Sequence, residues 1–305
     1  MVNSKNNDFC ITIIIPSYNN ACFISQAIET ILRQPCCDQI QIVVIDDGSI
    51  DSTSDVCSQY ASLSNFCYIR TENFGAGHAR NIGIENAKGD WIIFLDSDDL
   101  IVSSVFDGHL LKKLQAYRKK DVDIIYCSCV HSNIELTSIP KVMSASENRE
   151  SLIPKESFWA NIYRASFLQN NLNCRFYEYR QQDIETAFRY IVKKESRKFC
   201  VDNKICFYIH RDNPNGNINT INEELLYGVK TLVYYDLFLR YGDRDILKEA
   251  VRLCYKYYKK VITNGYYSEP YLWEGVNTIF KQQTSGIKKL WSKYLVVSIS
   301  YTFCC

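Results

Sequence analysis

The run Trp91-Ile92-Ile93-Phe94-Leu95 is unbroken and apolar, and it stops at Asp96-Ser97-Asp98-Asp99. Bulky apolar residues with no polar interruption read as a strand buried on both faces, as in a parallel sheet. Open α/β sheets bind ligands in the crevice outside the carboxyl ends of their strands, so these carboxylates point into that crevice. Like charges this close repel one another and require a counter-ion. Hard oxygen ligands suit Mg²⁺ or Mn²⁺, and Mg²⁺ usually shares its coordination with substrate phosphates. The run therefore implies a metal and a phosphate-bearing ligand. Taken alone it leaves open a solvated strand end with Ser97 or Asp99 as a helix N-cap.

The first 130 residues repeat this alternation. Strands are expected at 11–15, 40–45, 66–69, 91–95 and 123–130, with helices at 20–33, 51–61, 78–87 and 103–117. The first helix carries Ile24, Ala27, Ile28, Ile31 and Leu32 on one face. Pro16 ends the first strand, Asp51 or Ser52 can cap the second helix, and Gly89 stops the third. Such a β-α order predicts an α/β protein with a doubly wound, mostly parallel sheet. Beyond His131 the pattern becomes irregular, with a helix expected at 183–192, a strand at 204–209 and a loop at 212–219. From Glu223 onward the chain reads as helices rich in Tyr, Leu and Lys. The expected divisions are 1–130, 131–220 and a helical C-terminal extension over 221–305.

At 305 residues and 47% hydrophobic, the chain has ample material for a core. Its net charge of +1 gives no electrostatic footprint for nucleic acid. Fourteen cysteines raise the question of secretion, but none shows paired zinc-finger spacing, and Cys10, Cys67, Cys127, Cys129, Cys200 and Cys206 lie in apolar strands. Residues 1–8 are polar with no long apolar stretch behind them, unlike a signal peptide. A reducing cytosol is the expected compartment. No segment reaches the roughly 18 apolar residues that span a bilayer.

Three strand ends carry polar groups onto one edge of such a sheet: Pro16-Ser17-Tyr18-Asn19-Asn20, Asp46-Asp47-Gly48-Ser49, and Asp96-Ser97-Asp98. An aromatic ring among carboxylates suits a nucleotide: Tyr18 can stack on a base, and a carboxylate can accept from a base N–H or ribose hydroxyls. The segment from Asn73 to Gly83 adds Gly75 and Gly77, which permit close backbone approach, before a helix start that can receive an anion. It is a weak dinucleotide fingerprint, because it follows the third strand and has no acidic residue at the expected distance. Arg80 reads better as a ligand or carboxylate partner on a helix beside the Asp96 strand.

Four blocks in order, Ile15-Pro16-Ser17-Tyr18-Asn19, Asp46 through Thr53, Gly77 through Gly83, and Gly89 through Asp99, resemble family 2 of the inverting glycosyltransferases over residues 10 to 100. The resemblance implies the GT-A fold, a nucleotide-sugar donor, expected to be UDP-linked, and Mn²⁺ or Mg²⁺. Carried over by position, Tyr18 would contact the base, and Asp47 or Asp46 the base and ribose. Asp96 would lie near the ribose, and Asp98 would bind the metal bridging the diphosphate. Pro16, Ser97 and Arg80 complete the donor set. Residues 1–130 would form the donor half and 131–220 the acceptor half.

Members of the family use a carboxylate base from a Glu-Asp pair at a later helix start. The matching segment here is Gln181-Gln182-Asp183-Ile184-Glu185, with Gln182 in place of the Glu and Arg189 retained. Asp183 is therefore the expected base, an N-cap being its bland alternative, and Glu185 the fallback. His210 ends a strand and is either structural or, as in some GT-A enzymes, a further metal or diphosphate ligand; Arg211 could hold phosphate. Trp159 and Asn161 are candidates for the acceptor pocket. The tail from Lys288, basic and then apolar, suits either an interfacial helix on an anionic membrane or a helix packed on the body.

The leading expectation is a metal-dependent hexosyltransferase acting at the cytoplasmic face of the inner membrane. It would move a hexose or N-acetylhexosamine to a glycan or an undecaprenyl-diphosphate-linked sugar in O-antigen or capsule synthesis. A sugar-nucleotide nucleotidyltransferase is the rival enzyme, but its Gly-rich first loop is replaced by Pro16-Ser17-Tyr18-Asn19. A non-catalytic nucleotide-sugar-binding module is the third reading, encouraged by Gln182.

Overall fold

The apolar, β-branched runs become strands buried on both faces, which removes them from water. In a computed structural model of the chain, every residue of β1 (Ile11–Ser17) and β2 (Ile40–Asp46) is buried. The structure describes residues 9–133, 135–136, 141–145, 157–178, 185–213, 222–264 and 269–282. With β3 (Phe66–Arg70) and β4 (Trp91–Phe94), these strands form a parallel sheet in the order β3-β2-β1-β4. α1 (Ala21–Leu32), α2 (Thr53–Ser58) and α3 (Ala76–Asn86) make the connections. Pro16 lies inside β1, two residues past Ile14, where the register with β4 ends. A residue without an N–H is tolerated there.

The second half of the sheet mixes directions. β5 (Leu100–Ile101), β6 (Ile124–Asn133), β7 (Lys141–Met143), β8 (Asn161–Arg164) and β9 (Phe199–Asp212) extend the order to β3-β2-β1-β4-β8-β6-β9-β5, with β7 on β6. β8 runs antiparallel to both β4 and β6, whereas β6 and β9 are parallel. The expected fifth strand is present as β6, but the short β8 stands between it and β4. α4 (Gly108–Lys119) begins later than the expected 103, because Asp107 caps it by accepting from the Leu110 amide at 2.8 Å. β9 is longer than the expected 204–209. The polar Asp202-Asn203-Lys204 breaks its pattern where the β6 register shifts, and Asn203 there exchanges hydrogen bonds with the Ala145 backbone.

α5 (Ala165–Asn170) follows β8, and α6 (Glu185–Glu195) leads into β9. α6 is anchored by an aromatic cluster. Phe188 stacks on Phe176 at 3.8 Å and meets Phe94 of β4 and Phe158 edge-on. Buried rings of this kind contribute about 1.5–3 kcal/mol each by burial, with about 0.5–1.5 kcal/mol more per favourable pair. Among the described residues the cysteines are free, and burial pushes the Cys10 thiol up to about 11 and that of Cys57 up to about 12. Of the basic residues of α4, Lys112, Lys113, Arg118 and Lys119, two are paired among the described residues: Lys113 with Asp202 and Arg118 with Asp90.

The chain divides into two compact units, Met1–Asn219 and Thr220–Cys305, and residue 130 falls inside β6. The second unit holds α7 (Glu223–Tyr241), α8 (Arg244–Asn264) and α9 (Pro270–Gln282), with α7 packed on both of the others. Asn222 caps α7, and Gly242 ends it at φ 65°, donating its N–H to Phe238 at 2.8 Å. Among the described residues no helix is long and apolar enough to cross a membrane. The tail from Lys288 lies outside the described residues.

Candidate functional site

The polar ends of β1, β2 and β4 meet on one edge, stitched together by side chains. The Asn19 amide donates to Ser49 Oγ at 2.9 Å, and Asn19 Oδ1 accepts from the Ile50 amide at 2.8 Å. Asp51 accepts from the amides of Ala21 and Thr53, both at 3.0 Å, and so serves the starts of α1 and α2. Asn20 Nδ2 donates to Ser97 Oγ at 2.6 Å, tying the first strand end to the fourth. Tyr18 stands clear of this network with 40% of its surface exposed.

The carboxylates after β2 turn inward. Asp46 is fully buried, accepting from the Ser49 amide at 2.8 Å and from the Tyr68 hydroxyl. Asp47 is buried as well and accepts from the amides of Phe74 and Gly75 at 2.9 and 2.8 Å. Burial raises the Asp47 carboxyl above its ordinary range, against the pull of those two N–H groups. Gly48 between the loops has φ 77°, and a Cβ there would stand 3.0 Å from the Asn73 nitrogen. Ser97 and Pro16 are buried too, so of the donor residues expected on the first two strand ends, Tyr18 is the one that faces out.

The β4 end differs. Arg80 of α3 reaches across to Asp96, Nη2 to Oδ1 at 2.8 Å, as the sequence led one to expect. The same Nη2 lies 3.3 Å from Oε1 of Glu185, the first residue of α6. The guanidinium sits over the Phe158 ring at 4.6 Å. Burial works against its charge, yet Asp96 and Glu185 outweigh that and raise its pKa. Gly77 lets this arrangement close, since a Cβ there would lie 2.3 Å from the Tyr177 carbonyl oxygen. Asn81, one residue after Arg80, exchanges hydrogen bonds with the Phe176 backbone at 2.9 Å.

Asp98 is partly exposed, and its Oδ2 accepts from Asn213 Nδ2 at 2.9 Å. Asp99 is 1% exposed and gathers three donors from β9: Tyr208 Oη at 2.6 Å, His210 Nδ1 at 3.0 Å and the Arg211 amide at 2.7 Å. Burial raises the Asp99 carboxyl, and the hydrogen bond to Asp99 raises His210 in spite of its own burial. Trp159 stacks on both Tyr208 and His210, at 4.3 and 4.9 Å. His131 of β6 lies edge-on to His210 at 5.0 Å, and its pKa is lowered, chiefly by burial. His210 thus stands with His131 and Asp212, whose ligand atoms and its own lie within 4.8 Å of one another, while Asp98 is not in that group.

Other expectations fall differently. Arg211 is 3% exposed, donating from Nη1 to Gln26 at 2.8 Å and from Nε to the Asp98 carbonyl, so it braces the loop instead of facing a phosphate. Asn161 is 2% exposed and donates to Ser157 O and Tyr163 Oη, which removes it from an acceptor surface. Asp183 and Gln182 lie outside the described residues. Sequence reasoning missed Asp99 as the organiser of the loop, and missed Tyr208, His131 and Asp212. Asp99 carried a signal, a carboxylate directly after a metal-ligand candidate. The others become visible only through the pairing of β6 with β9.

The profile described as "Glycosyl transferase family 2" matches residues 12–176, just over half of the chain. The minor teichoic acid biosynthesis protein GgaB of Bacillus subtilis (strain 168) is 32% identical over 127 residues, 41% of this chain and 14% of GgaB. The uncharacterized glycosyltransferase EpsJ of the same organism is 28% identical over 220 residues, 67% of this chain and 62% of EpsJ. The chain thus spans less than two thirds of either relative. The crystal structure of S. aureus TarS 1–349 in complex with UDP-GlcNAc superposes with a TM-score of 0.59 at 21% identity, covering 75% of this chain and 67% of that one. That likeness carries the fold, GT-A, with its curled and mostly parallel sheet.

Proposed function

The chain belongs to glycosyl transferase family 2, and on that premise we propose that it transfers a hexose or N-acetylhexosamine from a nucleotide-sugar to an acceptor hydroxyl. The observation that carries the proposal is the β4 end, where the Arg80–Asp96 pair at 2.8 Å stands beside the partly exposed Asp98. A fixed cation holds one carboxylate in place and leaves the next turned toward the crevice. Tyr18 offers its exposed ring to the base. Asp46 and Asp47 hold the amides of Ser49, Phe74 and Gly75, and so shape the loops that would receive the base and ribose.

The oxygen atoms of Asp98 suit Mn²⁺ or Mg²⁺, and the imidazole of His210, which stands with His131 and Asp212, would add a ligand that Mn²⁺ accepts more readily than Mg²⁺; the ion would neutralise charge on the departing nucleoside diphosphate. Asp183 would take the acceptor proton during in-line attack on the anomeric carbon. Support for that assignment is the neighbouring Glu185, which the Arg80 guanidinium already engages. A UDP-linked donor, a glycan or undecaprenyl-diphosphate-linked acceptor, and work at the cytoplasmic face in surface-polysaccharide assembly complete the reading. GgaB is a minor teichoic acid biosynthesis protein and the TarS structure holds UDP-GlcNAc, which supports the surface-polysaccharide role and the UDP-linked donor.

The test is a panel of UDP-, GDP- and dTDP-sugars with Mn²⁺, followed by release of nucleoside diphosphate and by thermal shift, with Asp98→Ala alongside. Turnover of one donor that needs both metal and Asp98 is the expected result. No metal-dependent shift with any nucleotide would remove the proposal. Asp183→Asn separates the binding-module reading that Gln182 favours: donor binding kept with transfer lost rejects the module.

A further inference from the structure

The block Gly77-His78-Ala79-Arg80-Asn81 lies in the first turns of α3, and four of its five residues meet two short stretches of chain that flank one span. Gly77 admits the Tyr177 carbonyl oxygen, which a Cβ there would meet at 2.3 Å. Asn81 Nδ2 donates to the Phe176 carbonyl and to Glu178 Oε1, both at 2.9 Å, and Asn81 Oδ1 accepts from the Phe176 amide at 2.9 Å. His78 Nδ1 lies 3.1 Å from Glu178 Oε2. Arg80 reaches Glu185 Oε1 at 3.3 Å. Residues 176–178 are thus tied to α3 just before the span 179–184, and Glu185 is tied to it just after. Asp183 belongs to that span, which lies outside the described residues, but both of its flanks lie within them.

Residues three apart are neighbours on a helix surface, so His78 and Asn81 face the entry to the span together, while Arg80 faces its exit. The flanks also meet each other, Phe176 and Phe188 stacking at 3.8 Å. Closing a span at its base removes the conformations that it would sample with one end loose, and so restricts where Asp183 can stand. The donor side hangs on the same helix. Phe74 and Gly75, whose amides Asp47 accepts, directly precede α3, and the Phe74 ring meets His78 edge-on at 5.0 Å. A helix is a stiff rod rising about 1.5 Å per residue, so one element sets the separation of the donor loop from both ends of the span.

Glu178 is the tie that the core does not require. Arg80 and Asn81 are buried, whereas the Glu178 side chain is 49% exposed. Burial works against its charge, yet the contacts with Asn81 and His78 outweigh it and hold the carboxyl below the ordinary range. A half-exposed carboxylate contributes little to folding, but held by two side chains of one helix it fixes the direction in which the chain leaves. We propose that Glu178 is a positioning residue. Through His78 and Asn81 it fixes the entry to the span 179–184, as Arg80 fixes the exit through Glu185, and α3 thereby sets the base Asp183 against the donor loop. This rests on the reading of Asp183 as the base.

Amide exchange, followed by mass spectrometry on the full chain without nucleotide, reads the span directly, and tryptic cleavage after Arg180 reads it a second way. Glu178→Ala should speed both within the span by about tenfold or more. The melting temperature should move by no more than about 2 °C, since Asn81 keeps its bonds to Phe176. Glu178→Gln keeps an oxygen for Asn81 and should restore most of the protection. Glu85→Ala, at an exposed position of the same helix, should leave both rates at the wild-type value. With a donor that the panel shows to turn over, Glu178→Ala should lower kcat by about tenfold and leave donor KM unchanged. Rates in Glu178→Ala that match the wild type overturn the proposal. So does faster exchange spread over the whole chain, or a raised donor KM at unchanged kcat. Exchange and cleavage need neither donor nor acceptor, so the hold of α3 on the span is decided apart from the transferase reading. Normal transfer by Asp183→Asn would reject the base and leave that result standing.

Discussion

Two strand ends in this molecule carry adjacent carboxylates and use them in opposite ways. After β2, Asp46 and Asp47 are buried and occupied with the amides of Ser49, Phe74 and Gly75 and the Tyr68 hydroxyl. After β4, Asp96 meets a guanidinium, Asp98 faces outward, and only Asp99 is buried. A carboxylate that accepts backbone N–H groups fixes a loop. A carboxylate held by a side-chain cation, or left half exposed, keeps an oxygen available to a ligand. Identical residue types at equivalent places therefore divide into framework and chemistry according to what faces them, and this division can be tested.

The largest effect is expected at Arg80. Replacing it with Ala leaves Asp96 and Glu185 facing one another without their shared cation, and breaking such a pair costs about 3 kcal/mol or more. Thermal unfolding should show the loss, and metal-dependent donor turnover should fall with it. Asp98→Ala should separate the two quantities. Turnover is expected to drop by about 100–1000-fold, the range for losing one stabilising contact to developing charge, while the melting temperature holds. A comparable drop in melting temperature would move Asp98 into the framework class.

Asp47→Asn asks the converse. It should destabilise by about 1–3 kcal/mol through the amides of Phe74 and Gly75, lowering the melting temperature by roughly 2–4 °C per kcal/mol. Donor KM should change little. A tenfold rise in KM at unchanged stability would make Asp47 a direct ligand contact and erase the contrast. The smallest effect calibrates the others at Asp202, which lies on neither rim. Burial raises this carboxyl, but hydrogen bonds from Lys113 and Tyr117 outweigh it and hold it below the ordinary range. A group lowered on folding stabilises above its unfolded value, about 3.9, and loses that contribution as pH falls through the folded value. Acid unfolding of Asp202→Asn should accordingly lack part of the wild-type dependence below about pH 4.

Much of this was legible in the chain. The mostly apolar runs marked β1, β2 and β4, and Arg80 was recognisable as a partner for Asp96 because one helix joins the third strand to the fourth. The direction of Asp46 and Asp47 was not legible, since it depends on a loop that turns at Gly48 with φ 77°. Nor was Asp99, whose partners Tyr208, His210 and Arg211 follow it by more than a hundred residues. β8 escaped because Asn161-Ile162-Tyr163-Arg164 is too short to show a period. The pairing of His131 with His210 required the register shifts between Cys127 and Cys129.

That short strand has a consequence for synthesis. β4 is fully apolar, and its partner on the open side is β8, which leaves the ribosome some seventy residues later. Until then the nascent chain can assemble β1 to β4 as a parallel sheet whose outermost strand is Trp91-Ile92-Ile93-Phe94, with its hydrogen-bonding edge bare. Such an edge is a template for another chain. The interval between translation of Leu95 and of Arg164 is then the period in which that edge is bare, and slow codons placed there would lengthen the exposure.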